Sequence, residues 1–172
     1  RYEHPPRIGV LPIRYFHRMH TVADRSAAIK LEAHRLGFLA CGVARATLLE
    51  EEAPRLEQWL REDRHGKMAY MANHFDLRLD PRKLMPGAKS VISLAYNYFT
   101  PRKQADPEAP KLSTYAYGRD YHKVVKQRLK PLMTYIKETF GDVEMRAFVD
   151  SAPVMEKAWA QRAGIGWAGK NA

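Results

Sequence analysis

The chain has one cysteine, Cys41, in 172 residues. A single thiol excludes an internal disulfide and any metal cluster held by cysteines of this chain alone, and it fits a reducing, cytosolic compartment. It lies in the apolar run Gly37-Phe38-Leu39-Ala40-Cys41-Gly42-Val43-Ala44, where it reads as a small buried hydrophobe rather than a nucleophile. No apolar run approaches the roughly 18 residues of a membrane-spanning helix, and the N-terminal region has no continuous apolar segment of the secretory type. Internal repeats and low-complexity segments are absent as well. Acidic residues are scarce relative to basic ones, with 19 Asp and Glu against 29 Lys and Arg.

The resulting net charge of +10 points to a polyanionic partner, nucleic acid ahead of membrane, or else serves solubility alone. An apolar fraction of 45 % supports a real core in one domain or a domain plus an extension. Residues 1–18, rich in Pro, Arg and His, read as a flexible leader or upstream extension, with Met19 a plausible natural start and 19–172 the folded domain. The chain ends inside a motif, so the sequence predicts a piece of a longer protein.

Periodicity predicts helices over 24–36 and 50–64, the latter with Pro54 tolerated in its first turn. A short helical turn is expected at 68–71 and an irregular basic stretch at 73–89. Residues 121–140 form the longest expected helix, with Pro131 kinking or splitting it and Gly141 ending it. A last helix is expected at 154–163. Strands are expected at 38–44, 90–98, 112–117 and 145–149, the second with the continuous apolar character of a central strand. Strands alternating with helices give an α+β (α/β sandwich) class, a mixed central sheet flanked by helices.

Chemistry concentrates at the C-terminal end. The apolar run Ala147-Phe148-Val149 ends in the carboxylate of Asp150, and after one helix comes Gly164-Ile165-Gly166-Trp167-Ala168-Gly169-Lys170-Asn171. A carboxylate at a strand end facing a glycine-rich turn builds a cofactor pocket: small residues admit a bulky ligand, and Asp150 trades a proton with it. The competing reading is that Asp150 caps the helix and the glycines punctuate its end. Tyr115, Tyr117 and Tyr121 could line a flat ring, stack on bases or fill core. His122, at a helix start, is read as a capping or surface residue rather than a metal ligand.

Four stretches in order carry a resemblance: His65-Gly66-Lys67-Met68-Ala69-Tyr70; Arg78-Leu79-Asp80-Pro81 leading to Leu84-Met85-Pro86-Gly87-Ala88-Lys89-Ser90; Tyr115-Ala116-Tyr117-Gly118-Arg119-Asp120-Tyr121-His122; and the Asp150 to Asn171 segment. Together they resemble the N-terminal half of the epoxyqueuosine reductases, over roughly residues 27–171. The resemblance implies a fold similar to the cobalamin-binding domain of those enzymes and of reductive dehalogenases. It implies cobalamin bound base-off, an epoxide on a modified tRNA base as substrate, and a carboxylate over the corrin, here Asp150, as proton donor. It places Arg78 and Ser113 at the cofactor, with Gly164, Gly166 and Gly169 shaping the turn beside it and Lys170 and Asn171 as polar contacts. Glu156 and Lys157 face either substrate or solvent.

The resemblance also implies two 4Fe-4S clusters in a C-terminal ferredoxin-like domain absent from this chain, with ligands of the Cys-x-x-Cys type. The expected partner is tRNA carrying epoxyqueuosine, the expected state a cytoplasmic monomer, and the electron donor is unspecified. A non-enzymatic cobalamin- or tRNA-binding module and a dehalogenase-like corrinoid protein are the alternatives.

Overall fold

The computed structural model describes residues 21–106 and 108–169. The expected leader, the start at Met19 and the contacts of Lys170 and Asn171 lie outside the described residues. Helix α1 (Val22–Arg35) begins where Thr21 and Asp24 bond each other's backbone N–H, a capping box. It ends in a Schellman turn, with Phe38 N–H on the Ala33 carbonyl and Gly37 at φ +86°. The turn delivers the chain into β1 (Ala40–Arg45). After α2 (Ala53–Arg61), with Pro54 in its first turn, come a 3-10 turn (Ala69–Ala72), α3 (Phe75–Leu79) and α4 (Pro81–Leu84). Strand β2 (Ser90–Ala95) then pairs antiparallel with β1, Ala40 opposite Ala95 and Arg45 opposite Ser90. A 3-10 turn (Thr114–Ala116), α5 (Tyr121–Phe140) and α6 (Glu156–Arg162) complete the order.

The alternation of side chains along the two strands divides the core. Cys41, Ile92 and Leu94 pack with Ile29, Ala33 and Phe38 of the α1 region and with Leu132 and Ile136 of α5. Ala44 and Val91 join Leu49, Leu56 and Leu79 around Trp159 of α6. The second face tolerates no side chain at Gly42, where a Cβ would lie 2.3 Å from the Ala163 carbonyl oxygen. On the first face Arg128 ties α5 to the end of α1, donating to the Leu36 carbonyl at 2.7 Å with its guanidinium over the Tyr96 ring. Burial pushes the Cys41 thiol up to about 11, consistent with a packing role.

Several expectations are corrected. The class is α+β, but among the described residues the sheet has only two antiparallel strands, so the mixed central sheet does not form. The stretch expected as a strand at 112–117 is a 3-10 turn, because Ser113 and Thr114 carbonyls accept locally from Ala116 and Tyr117. The one expected at 145–149 joins no ladder. Arg146 donates to the Leu84 carbonyl and covers the Phe148 ring, so side chains fix that segment instead. The stretch expected to be irregular at 73–89 contains α3 and α4, with Asp80 accepting from Arg82 N–H as the N-cap of α4 and Pro81 beginning it. Helix α5 runs unbroken through Pro131; residues 127 and 131 are exposed, so water reaches the carbonyl that lacks an N–H partner.

Candidate functional site

Asp150 lies on the connector between α5 and α6, exposed, with φ +52°. Aspartate tolerates this left-handed geometry better than most side chains, yet it is uncommon outside glycine and needs neighbours to hold it. Two side chains do so. The Tyr121 hydroxyl donates to Asp150 Oδ2 at 2.5 Å, and Glu156 Oε1 accepts the Asp150 backbone N–H at 3.1 Å. The capping alternative fails, since the residue before α6 is Met155 and the helix has no side-chain cap.

Local sequence places Tyr121. Asp120 accepts His122 N–H to cap α5 and also bonds His122 Nδ1 at 3.0 Å. That partner holds the Asp120 carboxyl below its ordinary range. The Tyr121 ring stacks on His122, with centroids 4.1 Å apart, and meets Tyr115 edge-to-face at 5.9 Å. Tyr115 in turn meets Tyr98 at 6.5 Å. The result is a row of aromatics leading to Asp150, its outer members open to solvent: Tyr98 is 61 % exposed and Tyr115 51 %.

The charges interlock. The hydrogen bond to Asp150 comes first in pushing the Tyr121 hydroxyl up to about 12. Glu156 is raised above the usual carboxylate range, first by loss of water around its carboxyl and further by the Asp150 charge, while its bond to the Asp150 N–H opposes both.

The other expected site residues are dispersed. Arg78 is half-buried and donates through Nε to the Asn73 carbonyl and through Nη2 to the Tyr70 carbonyl, linking α3 to the preceding turn. Ser113 is exposed and begins the turn that carries Tyr115. Gly164, at φ +75°, is punctuation: with Ile165 N–H on the Ala160 carbonyl it completes a Schellman turn after α6. Gly166 and Gly169 differ in lacking a positive φ, and a Cβ on any of the three would meet nothing within 4 Å. No hydrogen bond or ring contact joins Arg78, Ser113 or these glycines to Asp150. Two shallow depressions, of about 600 and 480 Å³, lie against Thr47 and Arg162 and against Leu60 and Phe75, away from Asp150.

Sequence reasoning gave Tyr121 only as a ring and left Glu156 between substrate and solvent; neither was read as a hydrogen-bond partner of Asp150. The Asp120-Tyr121-His122 cap signal could have fixed Tyr121 in the first turn of α5. Nothing in the sequence announces the Glu156 contact, which depends on the path of the 150–155 connector.

Comparison with known proteins bears on this arrangement. The family described as Epoxyqueuosine reductase QueG, DUF1730, matches residues 78–151, a span that includes Arg78, Ser113 and Asp150. An epoxyqueuosine reductase of Leadbetterella byssophila is 60 % identical over 148 residues, covering 86 % of this chain and 49 % of that protein. One from Cyclobacterium marinum is 57 % identical over 155 residues, 89 % of this chain and 50 % of that protein. The chain thus spans about half the length of the curated relatives it matches. A crystal structure of epoxyqueuosine reductase with an epoxyqueuosine-modified tRNA-Tyr stem loop superposes with a TM-score of 0.73 at 26 % identity, covering 88 % of this chain and 41 % of that one.

Proposed function

We propose, from the premise that this chain is homologous to the epoxyqueuosine reductases over most of its length, that it forms the cobalamin-binding part of such an enzyme and supplies the proton for reduction of the epoxide in tRNA. The observation that carries the reading is Asp150, fixed in a left-handed conformation by Glu156 and capped by the Tyr121 hydroxyl at one end of an exposed aromatic row. Such a pairing has no evident use in folding, because Asp150 is exposed and caps no helix.

The residues present fit a large, flat, amide-fringed ring. Tyr98 and Tyr115 offer exposed apolar surface, and Gly166 and Gly169 leave open space where any side chain would project. Ser113 offers an exposed hydroxyl, and Arg78 keeps Nη1 as a donor beyond its two carbonyl partners, suited to the corrin amides. Gly164 turns the chain from α6 into that surface. Bound base-off, cobalamin would supply the reducing electrons, and 4Fe-4S clusters that feed it would belong to a part of the enzyme outside these residues, since one buried cysteine cannot ligate them.

The chain's own chemistry is proton supply. An epoxide oxygen released from carbon is an oxyanion and needs a positioned acid. Asp150, protonated from solvent, delivers that proton; the Tyr121 O–H orients the carboxyl and Glu156 holds the backbone that aims it. The +10 charge suits a tRNA partner, and a cytoplasmic monomer remains the working picture of the whole enzyme.

Titration of the chain with cob(II)alamin, followed by absorbance and electron paramagnetic resonance, tests the reading. A saturable base-off spectrum without nitrogen hyperfine splitting, weakened in Arg78→Ala, is expected. Absence of saturable binding both here and in a chain extended to the full length of its relatives would overturn it.

A further inference from the structure

The positive charge of the chain is concentrated. Residues 102–137 contain nine Lys and Arg and three Asp and Glu, so this segment carries six of the ten net charges. Within it, Lys123, Lys126, Lys130 and Lys137 recur on α5 at the spacing of a single stripe. All four are exposed, on the side of the helix away from buried Leu132 and Ile136. From Lys123 to Lys137 the stripe runs about 21 Å.

The fold does not require this ridge. Lysines three and four residues apart repel one another, and Lys123 sits in the first turn, where the helix dipole disfavours a cation and the turn itself holds no acidic residue. The structural work of α5 falls to another cation, Arg128, through the Leu36 carbonyl and the Tyr96 ring. Lys137 meets Asp142 at 3.5 Å, and Asp120, beside Lys123, is already bound to His122. Among the described residues, Lys126 and Lys130 make no ion pair. The ridge begins two residues after Tyr121 and runs toward the C-terminal end of α5, so it leads away from the Asp150 site.

We infer that Lys123, Lys126 and Lys130 form a track for the phosphate backbone of an RNA whose bases reach the tyrosine row at the start of α5. Charge complementarity supports a polyanion. A membrane surface is disfavoured because α5 exposes no large apolar side chain to insert beside its lysines. The choice of RNA rests on the proposed reductase function; the lysine track is argued from charge and geometry alone.

The test is binding of an unmodified RNA stem loop to the 172-residue chain as a function of salt, which requires neither cofactor nor epoxide and so stands apart from the reductase reading. Glutamine keeps helix propensity while removing charge. The triple variant Lys123→Gln, Lys126→Gln, Lys130→Gln, checked by circular dichroism for unchanged helix content, is expected to bind at least about tenfold more weakly at low salt. Its salt slope should fall by about two, near 0.7 for each lost contact. A charge-matched control, Lys30→Gln, Lys67→Gln, Lys89→Gln, should keep most of the slope. Equal losses in both triple variants, or no loss in the first, would overturn the track. So would capture of anionic phosphatidylserine vesicles through these lysines without RNA binding.

Discussion

The two halves of α5 belong to different regions of the molecule. Its C-terminal half buries Leu132 and Ile136 against α1 and β1, where Ala33 is fully buried and Phe38 nearly so. Its N-terminal turn holds Tyr121 and His122 in a solvent-facing neighbourhood built from the 97–120 segment and the 141–155 connector. Val149 is the only buried residue in those two segments among the described residues. One helix therefore joins a packed body to an edge made of turns, aromatics and hydrogen bonds. Stability and chemistry are separable along it: the body can be damaged without touching the carboxylate, and the carboxylate can be removed without opening the body.

The sharpest way to break that separation is at Asp150. In an enzyme extended to the length of its relatives, Asp150→Asn should lower epoxide reduction by roughly 10²–10⁴-fold, the range for loss of a positioned acid. Its thermal midpoint should stay close to that of the parent, because the side chain is exposed. A matching drop in midpoint would show that Asp150 belongs to the body after all.

The converse is Trp159→Ala. This indole is 1 % exposed in the cluster with Leu49, Leu56 and Leu79. Its truncation should destabilise the chain by about 3–5 kcal/mol in denaturant unfolding. Gly42→Ala should act in the same place more mildly, about 1–3 kcal/mol, because the added methyl meets the Ala163 backbone 2.3 Å away. Trp159→Ala should leave cobalamin affinity unchanged while the chain is folded.

A smaller effect is expected at the support of Asp150. Glu156→Gln keeps an oxygen acceptor for the Asp150 N–H but removes its charge, whereas Glu156→Ala frees the left-handed backbone. Loss of one such positioning contact should slow reduction by about fivefold, the equivalent of the ~1 kcal/mol of a single hydrogen bond. Gln should recover most of the loss, measured as kcat against KM across pH.

The body was the readable part of the sequence. Apolar spacing and the Gly37 and Gly141 stops located α1, β1 and α5, because those signals are local, but in α1 they did not single out Ile29 and Ala33, the residues that are buried. The sheet was over-read. Apolar runs at 112–117 and 145–149 have strand composition but no ladder partner, and pairing is a property of distant segments that a local pattern does not contain. Helix α4 was missed although Asp80-Pro81 is a cap followed by a first-turn proline, since four residues give no period to detect. At the site, Asp150 was singled out as the end of a strand that does not form, and its partners Tyr121 and Glu156 were not read. The first bridges 29 positions, and the second turns on a positive φ that no residue type dictates.

The Tyr121–Asp150 bond can be tested in the chain as it stands. Its phenol titrates at about 12, raised from the ordinary value of 10.0 first by donation to Asp150 and then by loss of water and the nearby negative charge. A raised tyrosine value means that the folded chain favours the protonated phenol. The stabilisation is therefore fully present below pH 10 and is lost as pH rises from there through about 12. Ultraviolet difference titration should show a late-ionising tyrosine that disappears in Tyr121→Phe and moves back toward 10 in Asp150→Asn. Because the phenol is on the open edge, the accompanying change in unfolding free energy should be small, the least of the effects considered. An Asp150→Asn chain whose late phenol is unmoved would place its partner elsewhere and detach Tyr121 from the site.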